Sequence, residues 1–433
     1  MTDKRPLPGA WGVTALIFLF MLINFADKAV VGLSAKPMMD ELKMTPEQFG
    51  LLGSAFFLLF PVSAVLVGFV TNRIQARHAL LAMAVLWSAV QFPMLGAVTF
   101  EVLLASRILL GVAEGPAYPV AMHAVYKWFP DQLRGLPTAV VAQGSSIGVI
   151  GAVPILNWII VNHSWHWAFG ALGIAGLAWA VLWAMFGREG ILVDDTRGEW
   201  VPDQAEAPSP VVRLTYRDLL LCPSIVAVCC VGFASYWGLS LGLTWFTSYL
   251  VDGLGYSQLV GGDLSVLPWL AGMVVVLAGG WTSQRLMTNG ASSRTARAVF
   301  PCLTMTLGGC ILPFIALVPQ SELKIAILVI GPAIGSTTFI IIPMIVSELT
   351  PQPQRSAMLA IVNSIITLGG VAAPLVMGSV VQTTATRLAG YDLGFVILGG
   401  LLVVGSLIGL VFIRPEADRQ ALARRAALLS HDR

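Results

Sequence analysis

Four ionisable side chains stand inside runs that are otherwise apolar: Asp27 and Lys28 in INFADKAVVG, and Arg107 and Glu114 in SRILLGVAEG. An ionisable group at the centre of an apolar membrane helix costs at least a few kcal/mol, and it persists by pairing, by facing water or by becoming neutral. Two bases can draw in an anion, and two acids can take and release protons. Asp27 and Lys28 are neighbours, separated by about 100° around a helix, so they cannot both face one partner. Arg107 and Glu114 lie seven residues apart, about two turns, and share one face with roughly 10 Å between them. These charge types lead to an expectation: Lys28 and Arg107 attract an anion while Asp27 and Glu114 carry protons. An anion that occupies the cation would free the carboxylate for a proton, so the two ligands would favour each other's binding. The plainer alternative is a static ion pair, such as Asp27 with Arg107, that holds two helices in register.

The elements that must position these charges follow from composition. The chain has 433 residues, of which 57% are hydrophobic and only 11% charged, and its mean hydropathy is +0.81. A soluble chain of this length carries far more charge. A membrane-spanning helix needs about 20 apolar residues, and twelve such runs occur, at 11–34, 48–71, 79–98, 102–126, 135–161, 166–187, 223–250, 260–284, 298–318, 324–347, 356–381 and 391–413. They are too long and too continuous for the alternating strands of a β-barrel. The expected fold is an all-α integral membrane protein with twelve transmembrane helices in two pseudo-symmetric six-helix bundles. The first bundle takes residues 1–187, a polar cytoplasmic linker takes 188–217, and the second bundle with a short cytoplasmic tail takes 218–433. With both termini in the cytoplasm, nineteen of the 25 Lys and Arg fall on that side and four on the other, Lys28 and Arg107 being inside spans. This is the bias of cytoplasmic loops. The N-terminal run reads as a span rather than a cleavable signal.

Other function classes find little to stand on. No basic tract suits nucleic acid. Cys222, Cys229, Cys230, Cys302 and Cys310 lie in or at the ends of apolar runs without metal-ligand spacing and read as packing residues. There is no catalytic Ser/His/Asp set and no phosphate loop, so neither an enzyme nor a cofactor or metal is expected.

The two halves echo each other. GFVTNRIQAR follows the second span and GWTSQRLMTN the eighth, each with Gly, an amide and Arg at one spacing; WFPDQLRG follows the fourth span and ELTPQPQRS ends the tenth. Such repeats are the usual build of a secondary transporter. At these residues the chain resembles the major facilitator superfamily, Gly68, Arg73 and Arg77 matching its loop motif while Asn72 replaces the Asp. SRILLGVAEGPAYPVAMHAVYKWFP is similar to the fourth helix of the anion:cation symporter branch. INFADKAVVGLSAKPM resembles that branch's first helix, with Lys28 in place of its Arg and Phe25 in place of its Tyr. LTWFTSYLV resembles its seventh helix.

The resemblance implies import of a small organic anion, a carboxylate, in symport with protons by alternating access, in a multi-pass monomer of the bacterial cell inner membrane. A drug or metabolite exporter running by proton antiport is the alternative within the same superfamily. The resemblance further implies that Gln143 on the fifth span, Tyr236 and Trp245 on the seventh, and Asn363 and Thr367 on the eleventh border the substrate. For Gln143 the alternative is helix contact through Gly144 and Gly148; for Tyr236 and Trp245 it is packing in the core or against lipid. Arg73, Arg77, Arg134, Arg285, Glu348 and Arg355 would form the pairs that close the cytoplasmic gate. Phe60 stands where sugar-acid members carry Tyr, and Phe339 to Pro343 where they carry Trp and polar groups, which leans toward a less hydroxylated carboxylate.

Overall fold

The computed structural model of the chain describes residues 6–71, 74–130, 133–191, 214–319, 322–351 and 354–431. Arg73 and linker residues 192–213 lie outside the described residues. The helices are α1 (Ala10–Leu33), α2 (Ala35–Leu42), α3 (Pro46–Leu58), α4 (Phe60–Thr71), α5 (Ala76–Gln91), α6 (Phe100–Glu114), α7 (Ala117–Tyr126), α8 (Gly135–Asn162) and α9 (Trp165–Phe186). After the linker come α10 (Tyr216–Leu220), α11 (Pro223–Thr244), α12 (Phe246–Ser248), α13 (Gln258–Leu264), α14 (Leu267–Thr288) and α15 (Phe300–Ile311). The chain continues through α16 (Glu322–Gly335), α17 (Thr338–Leu349), α18 (Arg355–Thr383), α19 (Arg387–Phe412) and α20 (Pro415–His431).

Eleven helical stretches among the described residues are long and apolar enough to cross a membrane. The tenth run read from the sequence, 324–347, forms two helices, α16 and α17, with Ser336 and Thr337 between them. Side-chain hydroxyls compete there for backbone carbonyls, Ser336 Oγ donating to Ala333 O over 2.6 Å. The fourth run is split too. Pro116 has no N–H to donate and crowds the preceding turn, so α6 stops at Glu114 and α7 begins at Ala117.

The chain forms two compact units. The first comprises Met1–Asp194, Leu239–Leu270 and Gly370–Gly394; the second comprises Asp195–Gly238, Ala271–Gly369 and Phe395–Arg433. In the first unit, α1, α5 and α9 meet at an aromatic core. The Phe20 ring lies 4.6 Å from Trp87 and 4.8 Å from Trp179, and Trp179 stacks on Trp183. Buried indoles usually find a hydrogen-bond partner; Trp179 donates to Leu16 O and Trp183 to Arg77 O, while Trp87 Nε1 has none. The ends of α11 and α18 pack on α1 and α3 in this unit. Gly32 faces the Leu243 carbonyl and Gly50 faces the Pro374 carbonyl, so closely that a Cβ at either position would strike backbone. At the start of α3, Thr45 and Gln48 cap each other's backbone, and Pro46 takes the first helical position.

Candidate functional site

All four charges lie in the first unit. The apolar faces of α1, α5 and α6 bring them together, and Asp27, Arg107 and Glu114 are each no more than 1% exposed. They form two separate networks. In one, the Lys28 ammonium donates to Glu114 Oε2 at 2.6 Å, to Asn24 Oδ1 at 2.5 Å and to Asn24 O at 3.2 Å. Three donors is all an ammonium has, so Lys28 is fully engaged. It also sits among Phe25, Phe56 and Phe60, with its nitrogen 4.7, 5.4 and 5.9 Å from the ring centres. Aromatic faces attract a cation that has lost its water.

The other network is Asp27–Gln91–Arg107. Gln91 Nε2 donates to Asp27 Oδ1 at 2.9 Å, and Gln91 Oε1 accepts from Arg107 Nη2 at 3.3 Å. Asp27 and Arg107 form no ion pair with each other. The static Asp27–Arg107 pair weighed from the sequence is replaced by the Lys28–Glu114 pair and by a bridge through a neutral amide. Within the two networks, Asp27 Oδ2, Glu114 Oε1, Arg107 Nε and Asn24 Nδ2 are buried with no hydrogen-bond partner. The Arg107 guanidinium lies 5.1 Å from the Phe169 ring centre.

Beside the two bases is a cavity of about 20 Å³, lined by Lys28, Val31, Leu52, Gly53, Phe56, Phe57, Arg107, Leu243 and Thr244. That volume holds about one water molecule. Both bases border it and neither acid does.

The remaining expected site residues fall elsewhere. Gln143 is half-buried on α8, and its neighbours Gly144 and Gly148 press against Met21 and Leu22 of α1, which is the helix-contact alternative. Trp245 is fully buried; its indole donates to Pro374 O at 3.2 Å and packs on Phe49 and Tyr391. It is a packing residue of the first unit, not part of the cavity wall. Tyr236, Asn363 and Thr367 belong to the second unit. There the Tyr236 ring lies against Phe339, 5.6 Å between centres, and Thr367 Oγ1 donates to Asn363 O at 2.6 Å.

The arginines expected at the gate mostly serve helix ends. Arg77 donates to Ala184 O at 3.0 Å, and Arg134 donates to Phe129 O and Tyr126 O. Arg285 lies over Trp281, and Arg355 is exposed. Glu348 pairs with Arg297 at 2.9 Å and accepts from Ser293. Two important groups escaped the sequence reading. Gln91 closes an apolar run as its one amide, a signal that was available. Glu189 falls within the expected linker, yet it accepts from the backbone N–H of Ala76 and Arg77 and pairs with Lys127.

Residues 17–374 match the Major Facilitator Superfamily. The hexuronate transporter of Bacillus subtilis is 28% identical over 97% of this chain and 98% of its own length. The D-galactonate transporter of Escherichia coli O6:H1 is 25% identical over 90% of this chain and 93% of its own. Among solved structures, a bacterial homolog of the human lysosomal transporter Spinster, in an inward-facing and occupied conformation, superposes with a TM-score of 0.78 at 16% identity, covering 96% of this chain and 99% of that one. These relatives are transporters rather than enzymes, and the acid-anion carriers among them agree with the anion:cation symporter branch. The spans and the bacterial relatives are consistent with a multi-pass inner-membrane protein.

Proposed function

Because the chain belongs to the major facilitator superfamily, we propose that it imports an organic acid anion together with protons, its two six-helix halves giving alternating access to a site in the first half. The observation that carries this reading is the small cavity bordered by Lys28 and Arg107 but by neither carboxylate. An anion arriving there meets Arg107 first, because the Lys28 donors are spent on Glu114 and Asn24. Drawing Lys28 toward the anion then releases Glu114, which takes a proton in exchange for its lost cation. Asp27 takes or releases a second proton at its unpartnered Oδ2. Each ligand thereby favours the other, which symport requires. A volume of about 20 Å³ is too small for such an anion, so the site must widen when one side opens.

The two named relatives carry acid sugars, and this outweighs the leaning toward a poorly hydroxylated acid drawn from Phe60 and Phe339. D-glucuronate, a hexuronate, and D-galactonate are therefore the first compounds to try. In proteoliposomes, an inward proton gradient is expected to drive either anion above its external concentration, and either anion driven inward is expected to acidify the lumen. Should the gradient instead drive solute outward, the exporter reading takes its place.

A further inference from the structure

Gln91 is fully buried and touches both an acid and a base. Its amide is suited to that position as few side chains are. The NH2 group can only donate and finds the carboxylate; the carbonyl can only accept and finds the guanidinium. A glutamate there would set a second anion beside Asp27, and a lysine could not accept from Arg107.

We infer that Gln91 is a positioning residue that holds Asp27 and Arg107 in register while keeping them from pairing directly. The inference rests on the roles of Asp27 and Arg107 proposed above. Its first consequence concerns the proton. Gln91 donates to Asp27 Oδ1, and that oxygen accepts whether the carboxyl is ionised or protonated. The proton adds to the lone pair of Oδ2, which has no partner. Asp27 therefore changes charge without losing its hydrogen bond. The second consequence concerns the anion. Arg107 is tethered by one contact of 3.3 Å to a neutral oxygen, and its Nε is unpartnered. A buried bidentate carboxylate would occupy those donors and be costly to break. The amide leaves them for the substrate.

The groups facing Asp27 are few. Arg107 and Glu114 come from α6, and Lys28 stands beside it on α1. α5 brings Gln91. α8 contains no ionisable residue; α9 has only His166 in its first turn, hydrogen-bonded to Glu41. α7 carries His123.

The test is infrared titration of the purified protein in lipid, with the band of the protonated Asp27 carboxyl assigned by its loss in Asp27→Asn. Gln91→Leu keeps the volume and removes both hydrogen bonds. It is expected to move the pH midpoint of that band by at least about one unit, because Asp27 then meets Arg107 directly. Gln91→Asn, which withdraws the amide by one methylene, should move it less and serves if the leucine variant does not fold. In proteoliposomes, Gln91→Leu is expected to cut proton-driven D-glucuronate uptake at least about tenfold while lowering counterflow exchange far less, and the loss should vanish in an Asp27→Asn background. A midpoint unchanged in both variants overturns the role of Gln91. If the wild type moves no anion, the transport reading fails, yet the infrared midpoint still decides what Gln91 does.

Discussion

The fourth and tenth spans occupy matching places in the two halves, and both break in the middle, but their breaks carry different chemistry. α6 ends on Glu114, and Gly115 and Pro116 interrupt the helix before α7. α16 ends on Gly335, and Ser336 and Thr337 interrupt it before α17. In the first half the break is made by a missing backbone donor and holds a carboxylate bound to Lys28. In the second it is made by hydroxyls and holds only neutral groups: Thr337 meets Thr304 at 2.8 Å, and Thr338 meets Ser235 at 2.7 Å. Both copies have the interrupted backbone, and only the first has a charge at the interruption. A break exposes backbone groups and loosens a helix, which suits any moving site. Charge is what the proposed proton and anion require, and of the two breaks only the first holds it.

The largest expected effect lies in the charged break. Glu114→Leu would leave the Lys28 ammonium, only 7% exposed, without its carboxylate. Breaking a buried pair from one side costs about 3–5 kcal/mol, read as a fall in thermal stability of the purified protein. Removing both partners, in Lys28→Met with Glu114→Leu, should recover most of it, since two apolar groups of similar size leave nothing unpaired. A loss under about 1 kcal/mol for Glu114→Leu would mean that the pair is solvated, and the contrast between the two breaks would lose its meaning.

A second comparison lies at the loops after the second and eighth spans, where the halves agree more closely. In the first, the Arg77 N–H donates to Glu189 at 2.9 Å, and its guanidinium donates to Ala184 O. In the second, the Arg294 N–H donates to Glu416 at 3.0 Å, and its guanidinium donates to Leu410 O. Among the described residues, only the first copy adds a cation, Lys127, to the glutamate. Burial works against the Glu189 charge, but Lys127 and the Arg77 and Ala76 N–H groups outweigh it and hold the carboxyl below its usual range. A depressed carboxyl contributes stability above the unfolded pKa, about 4.3 for Glu, and loses it as the pH falls through the lower folded value. Glu189→Gln should therefore cost about 1.5–3 kcal/mol near pH 7, with the two melting curves converging as the pH drops below about 4. Glu416→Ala, which removes an acceptor for a helix-end N–H, should cost about 1 kcal/mol. Equal, pH-independent losses would show that Lys127 adds nothing to the first copy.

What was legible in the sequence follows the same division. A charge in an apolar run is costly enough to be seen without a structure, and Asp27, Lys28, Arg107 and Glu114 were found that way. Their pairing was not. It depends on which turn of α6 meets which turn of α1, and a helix register cannot be read from one chain. Gln91 is cheap to bury by comparison, so it stood out less, although it is the group that both Asp27 and Arg107 touch. Glu189 was hidden for the opposite reason: polar neighbours made it look like one more linker residue. Trp245 shows why a role carried over by resemblance was weighed against packing. Its place on the seventh span was right for a cavity, but its indole is spent on Pro374 O. The split of the tenth span was visible as three consecutive hydroxyl residues, yet the run is apolar enough to pass as one helix.

The smallest effect tests the neutral break. Thr304 gives its one proton to Pro301 O at 2.9 Å, so in the contact with Thr337 it must accept. Thr337→Val deletes that donor and leaves Thr304 satisfied by Pro301. The replacement keeps the methyl that faces Gly279. Interhelical hydrogen bonds of this kind average about 0.6 kcal/mol in a membrane protein, and the melting temperature should fall by a degree or two at most. Because no charge is involved, the pH dependence of anion uptake in proteoliposomes should match the wild type. If Thr337→Val instead shifted that pH dependence while the protein stayed folded, proton coupling would extend into the second half, and the hydroxyl break would have to be counted as part of the site.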